Sequence, residues 1–261
     1  MEYLSVCAIV KDENAYLREW IEYHKLVGVE RFFIYDNGSR VPIAETLAAD
    51  VATGRVIVHD FPGPARQTEA YMNCAYHCGR TSLWVAFIDV DEFLVPKGTD
   101  DLRNIIRDYQ PFGGLAVNWQ IFSSSGHQTR PPGLQIENFL MRGPVSFGWN
   151  AHIKTIAKPA AIVAAPNCHF FRYTDGQCCV NEDGWMVSGA FNTPPTARRL
   201  QLNHYFNRSR AEFLDKVGRG AADGTQKKMD FFDLVERDCS SVRDEEILRF
   251  VPALKKRMET A

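Results

Sequence analysis

Leu4 to Val10 is a short apolar run, with Ser5 its one polar residue, that stops at Lys11-Asp12-Glu13-Asn14, and its length fits a strand buried on both faces. After Asn14, a candidate helix cap, Tyr16, Leu17, Trp20, Ile21, His24, Leu26 and Val27 recur at helical spacing until Gly28 supplies a C-terminal stop. Arg31 to Tyr35 is a second apolar strand running into the turn formers Asp36-Asn37-Gly38-Ser39. The alternation continues through a helical stretch at Val41 to Ala52, a strand at Val56 to Phe61 and a helix at Gln67 to Gly79. A fourth strand at Trp84 to Ile88 ends in Asp89-Val90-Asp91-Glu92. Strands alternating with helices predict a parallel sheet wound with right-handed crossovers.

Beyond Asp101 the texture changes. Leu115 to Phe122 reads as a strand, followed by the loop Ser123-Ser124-Ser125-Gly126-His127, and further strand-like pieces lie at Ile153 to Ala157, Ala161 to Ala164 and Cys168 to Tyr173. A loop-rich stretch reaches Pro194-Pro195, and irregular segments of that length in a compact domain tend to bind something. Arg210 to Gly218 and Lys227 to Arg257 read as amphipathic helices with a mainly packing role.

The composition fits a globular chain: 261 residues, 30 basic against 32 acidic, a net charge of −2 and a pI near 6.4. With bases and acids interleaved, no field is strong enough to hold nucleic acid through its phosphates. The start lacks the marks of a secretory leader, and no stretch is apolar enough to span a membrane. A cytoplasmic location follows as the expectation, at most peripheral at the inner membrane face. Seven cysteines without repeated Cys-x-x-Cys spacing predict free thiols rather than a disulfide or zinc framework.

Chemistry concentrates at the strand ends. In open α/β sheets ligands sit outside the carboxyl ends of the strands, and three of the first four strands end in acids: Asp12 and Glu13, Asp36, then Asp89 and Asp91. Carboxylates at i and i+2 point to the same side and can share one hard divalent cation, with positions left open for phosphate oxygens. A nucleotide sugar would supply that diphosphate. Arg66 and Gln67, after the third strand, are placed to reach its base or phosphates.

Cys7-Ala8-Ile9-Val10-Lys11-Asp12-Glu13, Trp20-Ile21-Glu22-Tyr23-His24, Phe33 to Ser39 and Phe87-Ile88-Asp89-Val90-Asp91-Glu92-Phe93 together resemble glycosyltransferase family 92 and related family 2-like enzymes. The resemblance runs on through Trp119 to His127, Lys154, His169-Phe170, Asn203-His204-Tyr205-Phe206 and Gly218-Arg219-Gly220. It implies a GT-A fold, a Rossmann-like α/β nucleotide-diphospho-sugar transferase with a mixed sheet in a single domain. That domain is expected over residues 1–220, with a nucleotide-binding half over 1–110 and an acceptor-binding half over 111–220. A helical extension over 221–261 would pack on it.

The implied reaction is a metal-dependent, inverting transfer of a sugar, from a UDP-sugar by preference, to a hydroxyl of a glycan, lipid-linked glycan or envelope polysaccharide. By this resemblance Lys11, Glu13, Asp36 and Asp89 contact the nucleotide, and Asp89, Asp91 and His204 hold Mn2+ or Mg2+. Asp183 is the expected base, with Glu137 and Asp175 as rivals. Lys154, Arg208 or Arg219 would steady the departing phosphates. His127, Lys154 and Trp185 are expected to touch donor sugar or acceptor, whereas His152 and His169 read as ordinary structural histidines. Among the aromatics, Trp119, Phe122 and Trp149 read more readily as core than as sugar contacts. Asn118-Trp119-Gln120 departs from the basic element common before the Ser-Gly loop, which leaves the donor sugar open. The rival readings are a nucleotidyltransferase, disfavoured by the lack of a Gly-rich phosphate loop after the first strand, and a catalytically silent carbohydrate-binding scaffold.

Overall fold

The computed structural model describes the chain apart from residues 79–80, 220–223, 225–227 and 261 and the side chains at 219 and 260. The predicted alternation is present: β1 (Glu2–Val10), α1 (Asn14–Leu26), β2 (Arg31–Asp36), β3 (Val56–Asp60), α2 (Gln67–Cys78) and β4 (Ser82–Phe87). These four strands pair in parallel in the spatial order β3-β2-β1-β4. The chain therefore moves outward from β1 in one direction through β2 and β3, then crosses to its other side for β4. That reversal is the topological switch point of an open α/β sheet, where a crevice forms at the carboxyl ends.

The second half widens this sheet with mixed pairing. β5 (Glu92–Pro96), β6 (Gly114–Ile121), β7 (Ile153–Ala157), β8 (Cys179–Val180), β9 (Met186–Val187) and β10 (Leu200–His204) bring it to ten strands. β7 lies antiparallel between β4 and β6, while β8 and β10 share the far edge of β6 in parallel. β5 pairs antiparallel with β10, with Glu92 opposite His204. This is the single-domain mixed-sheet α/β architecture expected for the chain.

Trp20, Trp84 and Phe32 are fully buried in the core on one face of the sheet, and Tyr71, Phe87 and Phe171 in the cluster on the other. Burying each such side chain stabilises the fold by about 1.5–3 kcal/mol. Gly28 ends the first helical segment with φ near +100°, and a Cβ there would collide with the Asp101 carboxylate.

Several local expectations change. Asn14 does not cap α1; its amide donates to the Val41 carbonyl (3.1 Å) and the Thr46 hydroxyl (2.6 Å), tying the helix to the next crossover. The helix expected over Val41 to Ala52 is two short turns, Ile43–Thr46 and Ala48–Ala52. Of the stretch from Cys168 to Tyr173 only Arg172–Tyr173 is strand. The C-terminal section comprises α3 (Arg210–Arg219), α4 (Met229–Asp238) and α5 (Val251–Thr260). α5 packs on α1, where Arg257 reaches Glu22 at 2.7 Å. All seven cysteines are free thiols, as composition suggested. Among the described residues no helix is long and apolar enough to cross a membrane.

Candidate functional site

A cavity of about 1130 Å3 opens over the carboxyl ends of the parallel strands. Each of the four strands contributes the residues that follow it: Lys11 and Glu13 after β1, Asn37 and Gly38 after β2, Pro62 to Ala65 after β3, and Asp89 to Asp91 after β4. The opposite side comes from the second half of the chain: Trp119, Trp149, His152, His169, His204, Phe206, Lys216, Asp230, Phe231 and Leu234.

The two aspartates are held differently. Asp89 accepts from the Gln67 amide at 2.6 Å and the Tyr71 hydroxyl at 3.3 Å on one oxygen, and from Lys154 Nζ at 2.9 Å on the other. Asp91 Oδ2 accepts from Lys216 Nζ at 2.7 Å, and its Oδ1 lies 3.6 Å from His204 Nε2. Behind them Glu92 is wholly buried. One of its oxygens accepts from the Asp89 backbone N–H at 2.8 Å and the other from the Trp119 indole at 2.6 Å, while Lys154 stands 3.8 Å away. Burial pushes the Glu92 carboxyl well above the usual range against the pull of Lys154. Burial also opposes charge on Lys154, but the Asp89 carboxylate outweighs it and holds the ammonium charged. Glu92 thus fixes both the aspartate loop and the indole that packs 4.4 Å from the His204 ring.

As a metal centre the donor set is partial. Asp91 Oδ1 and His204 Nε2, a hard carboxylate oxygen and an imidazole, are close enough to share one cation. Both oxygens of Asp89 are engaged by protein donors, which fits contact through water rather than direct ligation. Among the described residues no group of three or more His, Cys, Asp or Glu is drawn together closely enough to hold a metal ion.

Several other expected site residues stand outside the cavity lining. Asp36 stands back from the cavity: its oxygens accept the Ser39 and Ile43 backbone N–H groups at 2.8 and 3.0 Å, so it holds the turn that presents Asn37 and Gly38. Arg66 turns to Glu69 and lies over the Phe61 ring, outside the cavity lining. Lys154 lies beneath Asp89 rather than facing the cavity, and Arg208 is buried against Glu13 and the Tyr16 ring. The side chain of Arg219 falls outside the described residues.

None of the three expected bases reaches the cavity. Asp183 and Trp185 sit on a surface turn whose shape is fixed by Asn181 Oδ1, which accepts both their backbone N–H groups at 3.0 Å. Asp183 pairs with Arg198, and Trp185 points to solvent. Glu137 caps a short helix and pairs with Lys255 at 2.5 Å, and Asp175 is exposed on another loop. His127 packs edge-on against Phe139, away from the cavity.

The reverse holds for His152 and His169, which line the cavity in a ring cluster. His152 stacks between Trp149 (5.3 Å, 8°) and Trp119 (4.8 Å, 19°), and burial lowers the His169 pKa to about 4, leaving a neutral ring. Phe231 and Leu234 were missed as site residues because amphipathic spacing reads as packing, whereas Phe206 stood in the motif beside His204 without a role of its own. Lining by α4 also corrects the mainly packing role expected of the C-terminal section.

A crevice at a sheet switch point, walled by strand-end carboxylates on one side and aromatic rings on the other, lies where open α/β sheets take their ligands. Residues 2–184 match Glycosyltransferase family 92, and the chain belongs to that family. Among similar proteins, a glycosyltransferase family 92 protein of Ricinus communis is 29% identical over 84% of this chain. Another from Oryza sativa subsp. japonica is 35% identical over 49% of it. The chain spans 38% and 23% of the lengths of those two relatives. The galactan beta-1,4-galactosyltransferase GALS3 of Arabidopsis thaliana is 27% identical over 41% of this chain and 23% of its own length.

Proposed function

We propose that the chain is a metal-dependent, inverting glycosyltransferase that moves a sugar from a nucleotide-sugar donor, UDP-linked by preference, to a hydroxyl of a glycan. The observation that carries this reading is the position of Asp89 and Asp91. They sit at the switch point of the sheet and open into a cavity large enough for a nucleotide sugar, in a chain of family 92. The galactan-directed name of the Arabidopsis relative supports a carbohydrate acceptor.

Asp91 and His204 would hold the cation, which when bound supplies positive charge to the departing diphosphate. Lys11 and Lys216 line the same cavity and add donors for phosphate oxygens. Asn37 donates to the Phe61 and Gly63 carbonyls at 2.9 and 2.8 Å, so the loops after β2 and β3 are tied into one wall for the base and ribose. Gln67, Tyr71 and Lys154 fix Asp89, so that the carboxylate meets its ligand without reorganising.

Calorimetric titration with UDP tests the reading. Manganese is expected to tighten binding at least tenfold in the natural protein, and Asp91→Ala to remove that gain. Metal-blind binding together with no hydrolysis of any nucleotide sugar would sink it in favour of a silent scaffold.

A further inference from the structure

Four acids line the cavity: Glu13, Asp89, Asp91 and Asp230. Three are tied to bases, Glu13 to Arg208, Asp89 to Lys154 and Asp91 to Lys216. A carboxylate already accepting from a cation is a poor proton acceptor, because protonation would break the pair. Asp230 differs: it is exposed in the first turn of α4 and enters no ion pair among the described residues.

Its surroundings are also distinct. Phe231, next in sequence, meets the Trp149 ring edge-on at 4.5 Å and the Phe206 ring at 4.6 Å. Phe206 in turn lies 5.2 Å from the His204 ring, beside Asp91. Two ring contacts therefore connect the helix carrying Asp230 to the aspartate loop. Trp149 is 41% exposed yet held by a parallel stack through His152 to Trp119. The result is a rigid apolar face with one wet side, suited to the C–H face of a pyranose ring.

We propose that Trp149 and Phe231 form the platform for the acceptor sugar and that Asp230 takes the proton from its attacking hydroxyl. This rests on the glycosyl-transfer reading above. The hydroxyl gives its proton to the Asp230 carboxylate while its oxygen forms a bond to the anomeric carbon of the donor. The bond from that carbon to the phosphate oxygen breaks, and its electron pair leaves with the nucleoside diphosphate.

The test uses the full chain, UDP as donor-side probe and methyl β-galactopyranoside as acceptor probe. In saturation-transfer NMR with UDP present, Trp149→Ala and Phe231→Ala are expected to lose at least 80% of the glycoside signal while UDP affinity stays within twofold. Asp230→Asn is expected to slow UDP release from UDP-galactose or UDP-glucose at least 100-fold in the presence of the glycoside, again with UDP affinity unchanged. Asp230→Glu should recover part of the rate with a displaced pH profile. If Asp230→Asn keeps the rate within threefold, or the ring variants hold the glycoside undiminished, the proposal is overturned while the transferase reading stands. Failure of the natural protein to bind UDP would overturn both.

Discussion

The two walls of the cleft are built on opposite principles. On the sheet side, Asp89, Asp91 and Glu13 each face a buried cation, and Glu92 beneath them is satisfied by a backbone N–H and an indole. On the other side the contacts are rings: Trp149 on His152 on Trp119, with Phe231 and Phe206 edge to face. The charged wall cannot lose a member without leaving an uncompensated charge in low dielectric, whereas the ring wall loses area gradually. One wall is fixed by paired charges and the other by ring packing, so the first tolerates substitution less.

The comparison breaks most visibly at Lys154. With 1% of its side chain exposed between Asp89 and Glu92, Lys154→Met should cost about 3–5 kcal/mol of stability in denaturant unfolding. A loss under 1 kcal/mol would mean that the charged wall is no more demanding than the ring wall.

Next in size is the pH response of the ring wall. Burial first, and then Lys154, depress the His169 pKa from 6.5 to about 4, so the folded state binds this proton less readily than the unfolded chain. The stability it contributes is present above pH 6.5 and lost as pH falls toward 4, up to about 3 kcal/mol. His169→Gln should flatten the acid limb of unfolding over that window; an unchanged limb would place the titration elsewhere. Glu19 works in the other direction. Burial raises it to about 7, against two backbone N–H groups at 2.7 and 3.0 Å, so its contribution is full below about pH 4.5 and lost as pH rises through 7.

The smallest effects are expected where both walls are absent. Asp183→Asn and Trp185→Ala, on their surface turn, should each leave stability within about 0.5 kcal/mol and turnover within twofold. A tenfold fall in turnover for Asp183→Asn would return the proton acceptor to that loop.

Much of the fold was legible because the four parallel strands are apolar runs of strand length, and their helices repeat at 3.6 residues. The Asp-x-Asp pair could be placed for the same reason: a buried strand must end, and its first polar residues mark where. For the expected base, the sequence did not show the surroundings. Asp183 has suitable chemistry and distance along the chain, but Asn181 closes a turn that sends it to solvent. The antiparallel pair β5 and β10 escaped notice because what defines it is pairing between segments far apart in the chain.

The sequence by itself determined the parallel half, the acidic ends of its strands and the family, since each is written in contiguous residues whose local pattern permits few alternatives. Only the tertiary structure decided that His204 meets Asp91, that Lys154 lies beneath the aspartates and that Trp149 and Phe231 form one face. Those contacts join residues from well-separated segments through strand pairing and ring packing. Local pattern does not encode such long-range register.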